Sequence, residues 1–145
     1  MKLQHRPISG SLQMEINDDG QTEKSTTHFT GNFYRRDNMD VLTFEEKNDE
    51  NLFIKNLITI QQDKVSVKRT GDINMHQQFR VKQTTENVFK HPDVNIHMET
   101  YTHNLDYHAP DDQRTGELSI TFTVKLNGQD VREHQLTLRI EEDYD

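Results

Sequence analysis

Residues 117–126 alternate without a break: Leu118, Ile120, Phe122, Val124 and Leu126 fall in one phase, Glu117, Ser119, Thr121, Thr123 and Lys125 in the other. A period of two marks an extended strand with one face on a core and the other in water. The same period returns along most of the chain. Residues 8–16 put Ile8, Gly10, Leu12, Met14 and Ile16 in phase, 24–35 do so with Phe29, Gly31 and Phe33, and 52–61 with Leu52, Ile54, Ile58 and Ile60. Further strands are predicted at 39–46, 64–69, 73–81, 94–103 and 131–140. No stretch sustains the 3.6-residue period of an amphipathic helix.

The connections are short. Asp18-Asp19-Gly20, Arg36-Asp37-Asn38, Gln62-Asp63 and Thr70-Gly71-Asp72 carry turn-forming residues, and Asn127-Gly128 suits a type I′ turn, in which both central residues take positive φ. Hairpin-sized links make neighbouring strands antiparallel. Gly31, inside a strand, marks a bend or a close approach of another segment. Residues 82–93 contain Pro92 and break the pattern, so they read mainly as a loop with room for an edge segment. Beyond them Val94, Ile96 and Met98 share one phase, whereas Tyr101, Leu105 and Tyr107 share the other; a β-bulge near Glu99-Thr100 accounts for the switch.

Many short antiparallel strands must hide their edges. The run of consecutive hairpins predicts a closed up-and-down β-barrel of about 8–10 strands, with a two-sheet sandwich as the alternative. At 145 residues, 1–145 form a single domain. Only 30% of residues are hydrophobic, which a one-sided sheet tolerates because it buries every second side chain. The net charge of −8, with no basic stripe, argues against a nucleic-acid partner. The absence of cysteine excludes disulfides, zinc thiolates and thiol catalysis. Residues 1–7 lack the apolar core of a signal peptide, and no apolar run is long enough to cross a bilayer as a helix. The expectation is a cytoplasmic monomer or homodimer without a membrane partner.

Three segments, Val41-Leu42-Thr43-Phe44-Glu45-Glu46, Val67-Lys68-Arg69-Thr70-Gly71 and Gly116-Glu117-Leu118-Ser119-Ile120-Thr121-Phe122, resemble in order and spacing the YwiB-like proteins of Gram-positive bacteria. Phe44 and Phe122 stand where that family has tyrosine, and Phe89-Lys90-His91-Pro92-Asp93 replaces a Tyr-x-Thr-Pro-x-Gly segment. The resemblance implies a calycin-like (lipocalin-like) barrel in a bacterial cytoplasm. It implies no reaction, because that family is functionally uncharacterised.

Within the strands, Arg69 shares the phase of Val65 and Val67, and Glu46 that of Leu42 and Phe44. Both charges should therefore point at the apolar face, where each needs a partner; they are expected to pair with one another. An arginine so placed is either half of a structural ion pair or an anchor for a carboxylate or phosphate. Among the eight histidines, His97 and His103 share a strand face with Glu99, but 97 and 103 lie about 20 Å apart on an extended strand, too far to share one ion. No metal is expected. No nucleophile elbow or phosphate-cradling glycine loop occurs, and the adjacent pairs Glu45-Glu46 and Asp111-Asp112 face opposite ways in a strand.

The reading is a non-enzymatic barrel without cofactor or catalytic residues. It binds a small apolar or amphipathic ligand inside or at one mouth, with Arg69, Glu46, Phe44, Tyr101 and Phe122 as the expected ligand contacts. The alternative is a protein-interaction or scaffold barrel with a filled core. A filled interior is the expectation from the large inward set Leu12, Met14, Phe29, Phe33, Phe44, Ile58, Val67, Phe79, Met98, Ile120, Phe122 and Leu138.

Overall fold

A computed structural model describes residues 6–111 and 115–142. Ten strands follow one another: β1 (Arg6–Asp18), β2 (Gln21–Arg36), β3 (Met39–Lys47), β4 (Phe53–Ile60), β5 (Lys64–Gly71), β6 (Met75–Arg80), β7 (Thr84–Lys90), β8 (Asn95–His108), β9 (Gly116–Leu126) and β10 (Arg132–Glu142). No described residue is helical. They form one antiparallel sheet in the order β6-β5-β4-β3-β2-β1-β10-β9-β8-β7. The sheet curls until its two outer strands meet. There Asn74 and Lys90 exchange backbone hydrogen bonds of 2.9 and 2.7 Å, and the Thr85 hydroxyl donates to the Gln78 carbonyl at 2.5 Å. Below the seam Lys82 N–H donates to the Thr102 carbonyl at 2.7 Å. The result is a nearly closed barrel rather than a sandwich.

Inward side chains fill it. All twelve members of the expected inward set contribute to the core, with Leu12, Met14, Val67 and Met98 at its partly exposed margin. Phe79 meets Phe122 edge-to-face at 4.7 Å, and Phe29 stacks on Phe44 at 4.0 Å and 12°. Two glycines make room for that stack. A Cβ on Gly10 would strike the Phe29 ring and the Arg139 carbonyl, and one on Gly31 would strike the Thr43 carbonyl and Phe44. The bend expected at Gly31 is therefore a close approach to β3.

Two details differ from the sequence-based expectation. Residues 84–90 are strand rather than mainly loop, and form the outermost strand on one side of the sheet order. Their inward positions, Thr85, Asn87 and Phe89, lie opposite Thr100, Met98 and Ile96, while Val88 is exposed on the outside, so polarity does not track the face. That stretch of the interior is polar: Gln77 Nε2 donates to Thr100 Oγ1 at 2.9 Å. The bulge in β8 falls between Thr102 and Asn104, not at Glu99-Thr100. Thr100 and Thr102 therefore face the core, fully buried, and Tyr101 faces outward.

At the 126–132 connection Asn127 and Gly128 have φ of 50° and 71°, and Gln129 N–H closes the turn on the Leu126 carbonyl at 2.9 Å. The expected tight turn forms. Ladder pairing of β9 with β10 resumes only at Val124 and Arg132.

Candidate functional site

Strand β3 sends two carboxylates into the barrel, six residues apart and about 20 Å from one another along an extended strand. Asp40 and Glu46 share the face of Leu42 and Phe44, and each sits at one mouth.

At the Glu46 mouth three adjacent strands supply one row. Phe44 lies opposite Asn56, and Asn56 opposite Arg69. Arg69 Nη2 donates to Glu46 Oε1 at 2.8 Å, Arg69 Nε donates to Asn56 Oδ1 at 3.2 Å, and Asn56 Nδ2 donates to Glu46 Oε1 at 3.0 Å. The side chains of Arg69 and Glu46 remain 27% and 18% exposed, so water still reaches the pair. Phe44, opposite Asn56 in the ladder, joins this row to the core through its stack on Phe29. Of the five expected ligand contacts, the structure brings together Arg69, Glu46 and Phe44. Phe122 lies in the deep core against Phe79, and Tyr101 stands on the outer wall beside His103, ring centres 4.9 Å apart.

The opposite mouth is built differently. Arg35, at the end of β2, lies opposite Asp40 at the start of β3. Its guanidinium forks onto the carboxylate, Nε to Oδ1 at 2.6 Å and Nη2 to Oδ2 at 3.2 Å. From β8, across the barrel, the Tyr107 hydroxyl donates to the same Oδ2 at 2.6 Å. Asp40 is 5% exposed and both its oxygens are engaged, which meets the cost of burying a charge. Burial first, then the hydrogen bond to Asp40, pushes the Tyr107 phenol well above its usual range, so it stays a proton donor. The hydrogen bond to Asp40 raises Arg35 further. Both the phenol and the guanidinium therefore hold their protons around the Asp40 carboxylate.

This mouth opens into a depression of about 960 Å³ with Ile60, Leu105 and the Tyr107 ring as its apolar part. Asp37, Asp63 and Asp106 stand around it with Asn38, Gln61 and Gln62. Sequence reasoning missed Arg35 and Asp40, although Asp40 has the same apolar phase that singled out Glu46. Two other depressions, of about 950 and 840 Å³, lie on the outer wall around Leu57 and around Ser11 and Arg139.

A nearly closed all-antiparallel barrel with a filled core and charged clusters at its mouths defines the class: a β-barrel protein with no recognisable catalytic centre among the described residues. The model of one family, described as "Domain of unknown function (DUF1934)", matches residues 11–138, and the chain belongs to that family. It is similar to the "Uncharacterized beta-barrel protein YwiB" of Bacillus subtilis (strain 168), 25% identical over 138 residues and covering 95% of each chain. The crystal structure of the ywiB protein from Bacillus subtilis superposes with a TM-score of 0.84 at 24% identity, covering 97% of this chain and 94% of that one. The expected family and barrel are both found.

Proposed function

We propose that this chain is a binding barrel that takes a small amphipathic ligand at the Asp40 mouth. The carrying observation is the depression in which the apolar Ile60, Leu105 and Tyr107 ring lie beside a pre-set Arg35–Asp40–Tyr107 cluster. A few fixed polar groups beside an apolar floor are what a small-molecule site requires. The core is occupied by Phe79, Phe122 and their neighbours, which favours the mouth over the interior. Asp37, Asp63 and Asp106 outweigh Arg35 in charge, so the field favours a neutral or cationic polar head over an anionic one. Arg35 engages Asp40 through two of its five N–H donors and keeps others for the ligand.

A thermal-shift screen with small amphipathic amines and their carboxylate counterparts tests this reading. Amines should raise the melting temperature of the wild type and not that of Leu105→Asn, which removes the apolar floor without adding charge. Stabilisation by neither class, or equal stabilisation of the variant, would count against it.

A second reading, a protein-interaction barrel, has one observation of its own. Phe53 and Leu57 project from the outer face of β4, 42% and 37% exposed, next to the groove that Pro7 and Leu57 line. Loss of partner binding in Phe53→Ser with Leu57→Ser, with the amine response retained, would support that reading instead.

A further inference from the structure

Two clusters of metal-ligating side chains lie outside the Glu46 and Asp40 clusters. In the first, Glu50 approaches His91 Nε2 at 3.2 and 3.4 Å, while His91 Nδ1 accepts the Asp93 backbone N–H at 3.2 Å. The two acidic residues address opposite edges of the ring. That arrangement clamps the 48–52 turn to the 90–94 turn and leaves no nitrogen for an ion.

The second cluster is different. Glu86 on β7 lies directly opposite Glu99 on β8, and His97 is two residues from Glu99 on the same outward face. Like charges placed directly opposite on neighbouring strands destabilise a sheet. Nothing in the core requires them there. Their carboxylate oxygens and a His97 ring nitrogen all lie within 4.8 Å of one another, with Glu86 Oε1 3.7 Å from His97 Nε2. A tetrahedral ion with bonds of about 2.1 Å wants ligand atoms about 3.4 Å apart, which the exposed Glu86 reaches by a small rotation towards the half-buried His97 and Glu99. The backbone beneath is fixed: His97 N–H donates to Asn127 Oδ1 at 2.9 Å, and Asn127 N–H donates to the His97 carbonyl at 2.8 Å. Lys125, opposite Glu99 on β9, is the nearest competing cation by register.

We propose that Glu86, His97 and Glu99 form a site for a divalent transition cation, zinc in the first instance, on the outer wall of β7 and β8. One imidazole and two carboxylates suit such an ion better than magnesium or calcium, which take oxygen ligands alone. Three protein ligands leave a fourth position for water. The 97–103 separation that argues against a metal in the sequence is bypassed, because β7 supplies the third ligand in place of His103.

The test is calorimetric titration of the untagged full chain with zinc chloride. One equivalent should bind, and His97→Gln and Glu99→Gln should each weaken binding more than roughly tenfold. Circular dichroism should show both variants folded, and His91→Gln should bind like the wild type. Absence of saturable binding at about 100 µM zinc would overturn the proposal, that range being generous for a three-ligand site. So would wild-type affinity in His97→Gln, or a loss seen only with His91→Gln.

Discussion

The two mouths of this barrel solve the same problem with different reach. Each must accommodate a carboxylate that β3 points inward. The Glu46 mouth does it with Asn56 and Arg69, contributed by the next two strands at matched register. The Asp40 mouth uses Arg35 from the other arm of its own hairpin and then Tyr107, 67 residues away on the far wall. The first arrangement is local, with both charges partly wet; the second ties the β3 side of the sheet to the β8 side around a carboxylate that is itself buried, although the Arg35 side chain is largely in water. A cross-barrel brace beside an apolar depression can hold a binding geometry fixed, whereas a cross-strand row mainly closes an end.

If this contrast is right, the mouths should respond unequally to loss of their charges. The largest effect is expected for Arg35→Met, which strips the bidentate partner from a buried Asp40; with the 63% exposure of the Arg35 side chain discounted, it should cost about 2–3 kcal/mol of unfolding free energy by urea denaturation. Tyr107→Phe should cost about 1.5–3 kcal/mol, the worth of a hydrogen bond to a charged group. Losses below 0.5 kcal/mol (an order-of-magnitude threshold) in both would remove the brace from the account.

The second effect is a pH dependence near the Glu46 end. His134 faces inward from β10 and stacks on Phe122, ring centres 5.1 Å apart. Burial, helped by Arg132, lowers its pKa from 6.5 to about 4. Between those values the unfolded chain takes up the proton and the folded chain does not, so this contribution is present above pH 6.5 and lost as pH falls to 4. With its residual exposure discounted, the loss is about 1–2 kcal/mol. Replacing His134 by leucine should flatten the stability profile in that window; an unchanged slope would assign it to other groups.

The smallest effect belongs to the Glu46 row. Because Arg69 and Glu46 are both partly exposed, Arg69→Met should cost about 1–2 kcal/mol, less than a fully buried pair would. Arg69→Met combined with Glu46→Leu should recover most of it, with a coupling near 1 kcal/mol in the double-mutant cycle. A cost equal to that of Arg35→Met would erase the distinction between the mouths.

The same contrast explains what could be read from the sequence. The strands, the barrel and the Arg69–Glu46 pair follow from a period of two, because partners on consecutive hairpins inherit the face their phase assigns. Asn56 has the phase of Ile54 and Ile58, and Asp40 that of Leu42, so both were open to the argument that found Glu46. The link from Asp40 to Tyr107 was not open to it, because it crosses the barrel and depends on where β8 bulges. Placing the bulge at Glu99-Thr100 instead of beside His103 reverses the face of the residues between, which is why Tyr101 was expected at the site and stands outside. Strand β7 was obscured because its inward positions include Thr85 and Asn87.

Backbone-amide chemical-shift mapping of the ¹⁵N-labelled protein, titrated with a small amphipathic amine, tests the account most directly. Shifts should cluster on Arg35, Asp40, Leu105 and Tyr107 and weaken in Leu105→Asn, with Glu46, Asn56 and Arg69 unmoved. Shifts centred on the Glu46 row, or no saturable shifts at either mouth, would contradict it.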